Sequence, residues 1–238
     1  MRLLSAFVLI LSAWPAVLGA QTPGDAATAL PPPSTAGDPL PPGFFVSPTI
    51  STLGVGLDAG LRFNETFGLR FGGNWLSLDF DRSINDVDYD AEATLGSLGA
   101  LVDVHPFKGG FRLSGGLRFN FNNADLTGTP TEDITIGDET FAASDVGTLE
   151  GDVSFNTVAP YLGLGYGATL LEGSLSIGFD LGVMYQGRAD VDLDAEGGAL
   201  EGDAVLEANL DEEEDDIEDD LEDFQFYPVV GLAVVYRF

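Results

Sequence analysis

Residues 175–194, LSIGFDLGVMYQGRADVDLD, alternate along their whole length. Leu175, Ile177, Phe179, Leu181, Val183 and Tyr185 stand on one face. Ser176, Gly178, Asp180, Gly182, Met184, Gln186 and Arg188 stand on the other. A period of two is the signature of a β-strand. The same alternation runs through 51–63 (STLGVGLDAGLRF) and 111–121 (FRLSGGLRFNF). These segments are longer than the ~5–6 residues of an ordinary globular strand. A soluble β-sandwich also alternates, but its water-facing side would carry Lys and Glu. Here that side is mainly Gly, Ser, Asn and Arg. Large apolar residues outside, with small residues or Arg inside, is the pattern of a membrane barrel in which lipid replaces the core.

The last residues, FYPVVGLAVVYRF, alternate too, and the chain stops on Phe238. A strand at the very end leaves an edge that needs a partner. From residue 51 onward seven strands can be counted. A barrel with both termini at one end needs an even number. The eighth is GFFVSPTIS (43–51), joined to the next by a tight hairpin near Thr52 and Leu53; it carries Pro48, which suits only an edge or a bulge. Connections alternate between short (64–66, 108–110, 169–174) and long (82–87, 127–150, 192–223), which predicts short periplasmic turns and long outer loops. Three strands, at 67–80, 89–104 and 153–166, switch the face on which their apolar residues lie. Either a bulge re-aims the strand there, or the strand leaves the membrane.

Ahead of the barrel, residues 1–20 have Arg2, an apolar stretch from Leu3 to Ala13 and then small residues, the layout of a secretory signal peptide. Residues 21–42 are a Pro/Ala/Gly tract, expected to be a flexible periplasmic linker; the ordered domain is 43–238. The formal net charge of −30 repels phosphate and excludes nucleic acid as a partner. There is no Cys, hence no disulfide framework or thiolate metal site.

The chain resembles the small eight-stranded outer-membrane β-barrels of Gram-negative bacteria, the OmpA, OmpW and opacity-protein type. The resemblance rests on AGLRFNETFGLRFG (59–72), APYLGLGYG (159–167), FDLGVMYQG (179–187) and the terminal VVGLAVVYRF. It implies an all-β, antiparallel, up-and-down transmembrane barrel in the outer membrane, in contact with its lipid and with lipopolysaccharide. It also implies that Val230, Leu232, Val234, Tyr236 and Phe238 form the signal read by the barrel-assembly machinery. The class has no single activity.

Candidate site residues fall into two groups. Arg62, Arg70, Arg112, Arg118, Arg188 and Arg237 are expected on the lumen face, with Asp58, Asp103 and Asp180 as carboxylate partners. An eight-stranded barrel is just wide enough for its own side chains, so this set reads either as a plug of ion pairs or as a narrow gate. The second group is acidic. DVDYDAE (86–92) and DVDLDAE (190–196) each place carboxylates on one strand face, forming an acidic outer rim. Asp190, Asp192, Asp194 and Glu196 are candidate ligands for Ca²⁺ or Mg²⁺, although Ala195 stands where a calcium loop requires Gly. Residues 203–223 read as an acidic helix in the last extracellular loop (201–223), with Leu206, Leu210, Ile217, Leu221 and Phe224 as a narrow apolar stripe. His105, the single His, lies beside a short turn with no nucleophile constellation around it. An enzyme is therefore not expected, nor any cofactor beyond such cations. The reading is a non-catalytic envelope or surface-interaction protein, with a cation- or small-solute-selective channel as the alternative.

Overall fold

The computed structural model describes residues 42–84, 87–171 and 174–238. The expected signal peptide, nearly all of the expected linker, and Asp86 of the first acidic segment lie outside them. No described helix is long and apolar enough to cross a membrane.

Eight strands close into an antiparallel barrel: β1 (Gly43–Ser51), β2 (Gly54–Arg62), β3 (Phe67–Ile84), β4 (Val87–Val104), β5 (Phe111–Asn120), β10 (Val158–Leu171), β11 (Leu175–Tyr185) and β13 (Phe226–Arg237). Closure comes from the terminal strand. β13 pairs with β11 on one side and with β1 on the other, through Phe45–Arg237, Val46–Tyr236 and Ile50–Leu232. The ladder from β1 to β13 has no pair at Ser47 or Pro48 and keeps its register across the gap, which suits a residue with no N–H to give. The tight turn at Thr52 and Leu53 then returns the chain as β2.

Outward positions around the barrel carry large apolar side chains open to the surroundings. Phe71, Trp75, Leu117, Leu162, Leu232 and Val234 are each 46–66% exposed. Aromatic residues mark both edges of this band: Phe44, Phe67, Tyr166 and Tyr236 at the short-turn end, Trp75, Phe119, Tyr185 and Phe226 at the other. From Phe67 to Trp75 the strand spans eight residues at ~3.4 Å each; tilted by ~40°, that is about 20 Å of height. So large a continuous apolar exterior has no place in water, and it matches the lipid-facing band of a membrane barrel.

Beyond the band five strands continue and form a cap. Their order is β12 (Asp190–Gly197), β9 (Gly147–Ser154), β6 (Asn123–Pro130), then the upper halves of β4 and β3. The pairing of β3 with β4 runs from Phe67–Val104 to Ile84–Val87 without a register shift. No bulge therefore explains the switch of apolar face in these two strands, and the third expected switch, at 153–166, is not within one strand, since β9 ends at Ser154 and β10 begins at Val158. In the barrel, Leu98, Ala100 and Val102 of β4 face out and Ser97, Leu101 and Asp103 face in. Higher up, Ala91, Ala93 and Leu95 face in, while Asp90 and Glu92 are exposed. The strand keeps its direction; the medium outside it changes.

The inward face of the cap packs on its own apolar core. A hairpin of β7 (Ile134–Ile136) and β8 (Glu139–Phe141), a one-turn helix α1 (Ala143–Val146) and the acidic helix α2 (Ala204–Asp220) cover the sheet. Asp203 caps α2 by accepting from the Val205 N–H at 2.9 Å. Leu206, Leu210, Ile217 and Leu221 are buried with Leu126, Leu149, Val153, Val191 and Leu193 of the sheet and Ile134, Ile136 and Phe141 of the hairpin. The helix thus docks on the inner face of a sheet that the long loops themselves build.

Candidate functional site

Side chains fill the lumen in layers. At its centre Arg70, 6% exposed, spans three carboxylates. Its Nη1 donates to Asp58 at 3.1 Å, and its Nε and Nη2 donate to the two oxygens of Asp103 at 3.1 Å each. Asp180 stands 3.7 Å away and takes Arg112 Nη2 at 2.6 Å. Ser114 accepts from Arg70 and donates to Asp103 at 2.6 Å. Such a group is stable in a low-dielectric interior because each charge meets opposite charge and directional hydrogen bonds. Glycines make the room: a Cβ on Gly72 would strike the Asp58 carboxylate, and one on Gly165 would strike Arg112.

Arg118 lies next along the lumen. Its Nη1 donates to Ser97 at 2.9 Å and to Asn74 at 3.4 Å, and its guanidinium sits 5.0 Å from the centre of the Tyr161 ring, a cation–π contact in place of an ion pair. Leu53, Ala159, Met184, Tyr227 and Val229 form a buried apolar cluster with Tyr161 and with Leu101, the cross-strand neighbour of Arg70. The Tyr227 hydroxyl donates to the Thr52 carbonyl at 2.7 Å, fixing the β1–β2 turn at this cluster. At the opposite, short-turn end, Arg62 donates to the carbonyls of Asn64 and Glu65, and Arg237 to the Ser176 hydroxyl at 2.5 Å.

Of the nine residues expected in a lumen ion-pair network, the structure joins five through carboxylates: Arg70, Arg112, Asp58, Asp103 and Asp180. Arg62, Arg118 and Arg237 are inside but have no carboxylate partner among the described residues. Arg188 is not in the lumen. The alternation that placed it there ends with β11 at Tyr185. Its side chain is exposed and pairs with Glu222 at 3.1 Å outside the barrel. The outward-facing β13 residues Val230, Leu232, Val234 and Tyr236, and the terminal Phe238, are all exposed to the apolar band or its edge.

On the cap, Asp190, Asp192 and Asp194 lie on the exposed face of β12, with Glu196 following. Register brings in partners that the linear sequence does not display. Asp79, Glu92, Asp125, Asp152 and Asp192 are consecutive cross-strand neighbours across all five strands. A second row runs through Asp90, Thr127, Glu150 and Asp194. Side chains directly opposite one another lie ~4.5–5.5 Å apart at Cβ, close enough for like charges to repel. Among the described residues no three carboxylates or imidazoles converge as a ready metal site. Burial, then Asp125, then Asp192 and Asp190 push the Asp152 carboxyl above its ordinary range.

The carboxylates of α2 have a second task. β12 is an edge strand, and its outward N–H groups at Val191 and Leu193 donate to Glu218 at 3.2 Å and Glu214 at 2.7 Å; Gly197 donates to Glu201 at 2.9 Å. Glu214 and Glu218 of the helix, with Glu201 just before it, thus close an edge that would otherwise invite another strand. Burial raises the Glu214 carboxyl; the bond from Leu193 offsets part of that, and Asp192, Asp211 and Glu218 add to it.

Fold and exterior define the class: a small eight-stranded barrel of the outer-membrane type. Among solved structures the chain is similar to CarO of Acinetobacter baumannii, 22% identical, with TM-score 0.55 over 84% of this chain and 100% of that one. It is also similar to CarO2 of the same species, 21% identical, with TM-score 0.54 over 84% of this chain and 99% of that one. A major outer membrane protein of Thermus thermophilus follows at 15% identity and TM-score 0.43, over 83% and 99%. At these identities the likeness is one of fold. No protein-family model matches the chain, and no curated protein matches it by sequence.

Two outcomes follow from this geometry. Arg70→Met strands Asp58 and Asp103 in the lumen and should cost about 3–5 kcal/mol, read as a lower urea midpoint of the refolded barrel; an unchanged midpoint would contradict the network's role. The cap should respond to pH. Raised carboxyl values mean that the folded cap binds more protons than the unfolded one, so its stability falls as pH rises through those values. The melting midpoint of the α2 signal in circular dichroism should be higher at pH 5 than at pH 7.5, and Asp152→Asn should shrink that difference.

Proposed function

We propose that this chain is a non-catalytic outer-membrane protein whose barrel does not conduct and whose work is done by the acidic cap outside the cell. The in-register carboxylate row from Asp79 to Asp192 carries this reading. Aligned negative charge at close spacing stores repulsion that bound cations relieve. Asp190, Asp192, Asp194 and Glu196 form the β12 end of that face, where Ca²⁺ or Mg²⁺ would be loosely held. Divalent ions there could also bridge the cap to lipopolysaccharide phosphates. The exposed alternation from Val230 to Phe238 fits delivery by the barrel-assembly machinery, and the short-turn end then faces the periplasm.

A narrow channel is the second reading. Two lumen cavities, of about 50 and 20 Å³, favour it, for both are lined by Asp58, Arg70 and Asp180. The buried cluster around Leu53 and Met184 opposes it, because an ion crossing there would meet mainly apolar side chains and no charged one.

Single-channel recording of refolded protein in a planar bilayer separates the two. Folding is verified first by the heat-dependent shift of its gel band. The proposal expects no discrete steps from folded protein, together with a rise in the α2 melting midpoint when millimolar Ca²⁺ is added at pH 7.5. Discrete cation-selective steps would make the lumen the functional part.

A further inference from the structure

The cavity of about 50 Å³ at the short-turn end of the lumen has four arginines and three aspartates in its lining. All three aspartates are engaged by Arg70 and Arg112. Four arginines against three aspartates leave the lining one net positive charge, and neither Arg62 nor Arg237 forms an ion pair with a carboxylate among the described residues. Arg62 is 6% exposed, and only backbone carbonyls accept from it. Arg237 donates through one nitrogen to one hydroxyl. Two further lining groups keep a buried nitrogen without a hydrogen-bond partner, His105 Nδ1 and Arg112 Nε. Along the wall Gly43, Gly68, Gly110 and Gly167 contribute no side chain, so the space beside the guanidinium groups stays open.

Buried cations without counter-charge are costly, and an anion is what such a site lacks. Guanidinium groups suit oxyanions in particular, since their N–H donors diverge in a planar fork. At ~10–15 Å³ per water-sized probe, the cavity has room for a few waters or one small anion. We propose that Arg62 and Arg237 form a binding site for a small inorganic anion, phosphate or chloride in size, entered from the short-turn end. The site lies at the opposite end of the molecule from the acidic cap. The anion completes the charge balance of the lumen and braces β2 against the terminal strand, whose pairing with β1 closes the barrel.

The test is the melting midpoint of refolded protein in a nonionic detergent, which brings no phosphate of its own. At constant ionic strength, a bulky sulfonate is replaced stepwise by phosphate and, separately, by chloride. The native chain should rise saturably, by roughly 5 °C at a hundredfold excess over the dissociation constant. Arg237→Gln should abolish the rise, and Arg62→Gln should abolish or blunt it, each variant melting no lower than the native chain in sulfonate alone. Arg188→Gln, exposed at the far end, should leave it intact. Should Arg237→Gln fail to refold, Arg62→Gln carries the test. No anion-dependent shift in the native chain, or an equal shift in the two lumen variants, would overturn the site.

Discussion

The whole structure depends on one requirement: in lipid, every backbone N–H and C=O must find a partner within the protein. Strands meet it only when the sheet has no edge, so the last strand has to return to the first. β13 does so against β1, and the ladder tolerates Pro48 because its register continues past the missing donor. The eight strands that result leave a lumen only as wide as side chains can fill. That width dictates the inside: small residues where a neighbour is large, and charged residues held by ion pairs, as Arg70 is, or by hydroxyl, carbonyl and ring contacts, as Arg62, Arg118 and Arg237 are.

Closure binds only as far as the lipid extends. Above it, strands are free to face water outwards, and the burial pattern inverts. Ser97 and Asp103 are inward in the barrel, whereas Ala91, Ala93 and Leu95 are inward in the cap, all on one unbroken strand. Water outside selects carboxylates, and the core inside selects aliphatic residues for α2 to cover. Opening the sheet restores the edge problem at β12, which Glu214 and Glu218 solve by accepting from its free N–H groups. The acidic helix is thus a lid on the core and a guard on the edge together.

Much of this was legible in the sequence because alternation is local. The final strand, the weak first strand with Pro48, the count of eight and the apolar stripe of α2 all rest on spacings within a few residues. The phase switches at 67–80 and 89–104 were visible too, but spacing alone could not separate a bulge from a change of medium; the continuous β3–β4 register does, whereas the one at 153–166 is the gap between β9 and β10. What stayed hidden depends on distant pairing. Asp125 and Asp192 both flank Asp152 in the cap, yet they come from different loops of the chain. β6 and the first half of β9 look like parts of a long loop because their outward faces are so acidic, and DVDLDAE reads as the outer end of β11 when it is a separate strand, β12. Arg188 misled for a related reason: its alternation with β11 continues past Tyr185, where the barrel wall has already ended.

The inversion between Trp75 and Ser77 on β3 marks where lipid gives way to water, and every other feature of the cap follows from that boundary. The native chain has no cysteine, so nitroxide labels can be placed singly at outward positions 67, 71, 75, 77 and 79 of the protein in bilayers. Collision with oxygen should dominate at 67, 71 and 75, and collision with a water-soluble nickel complex at 77 and 79. A profile that stays oxygen-rich through Asp79, or nickel-rich at Phe71, would contradict the account.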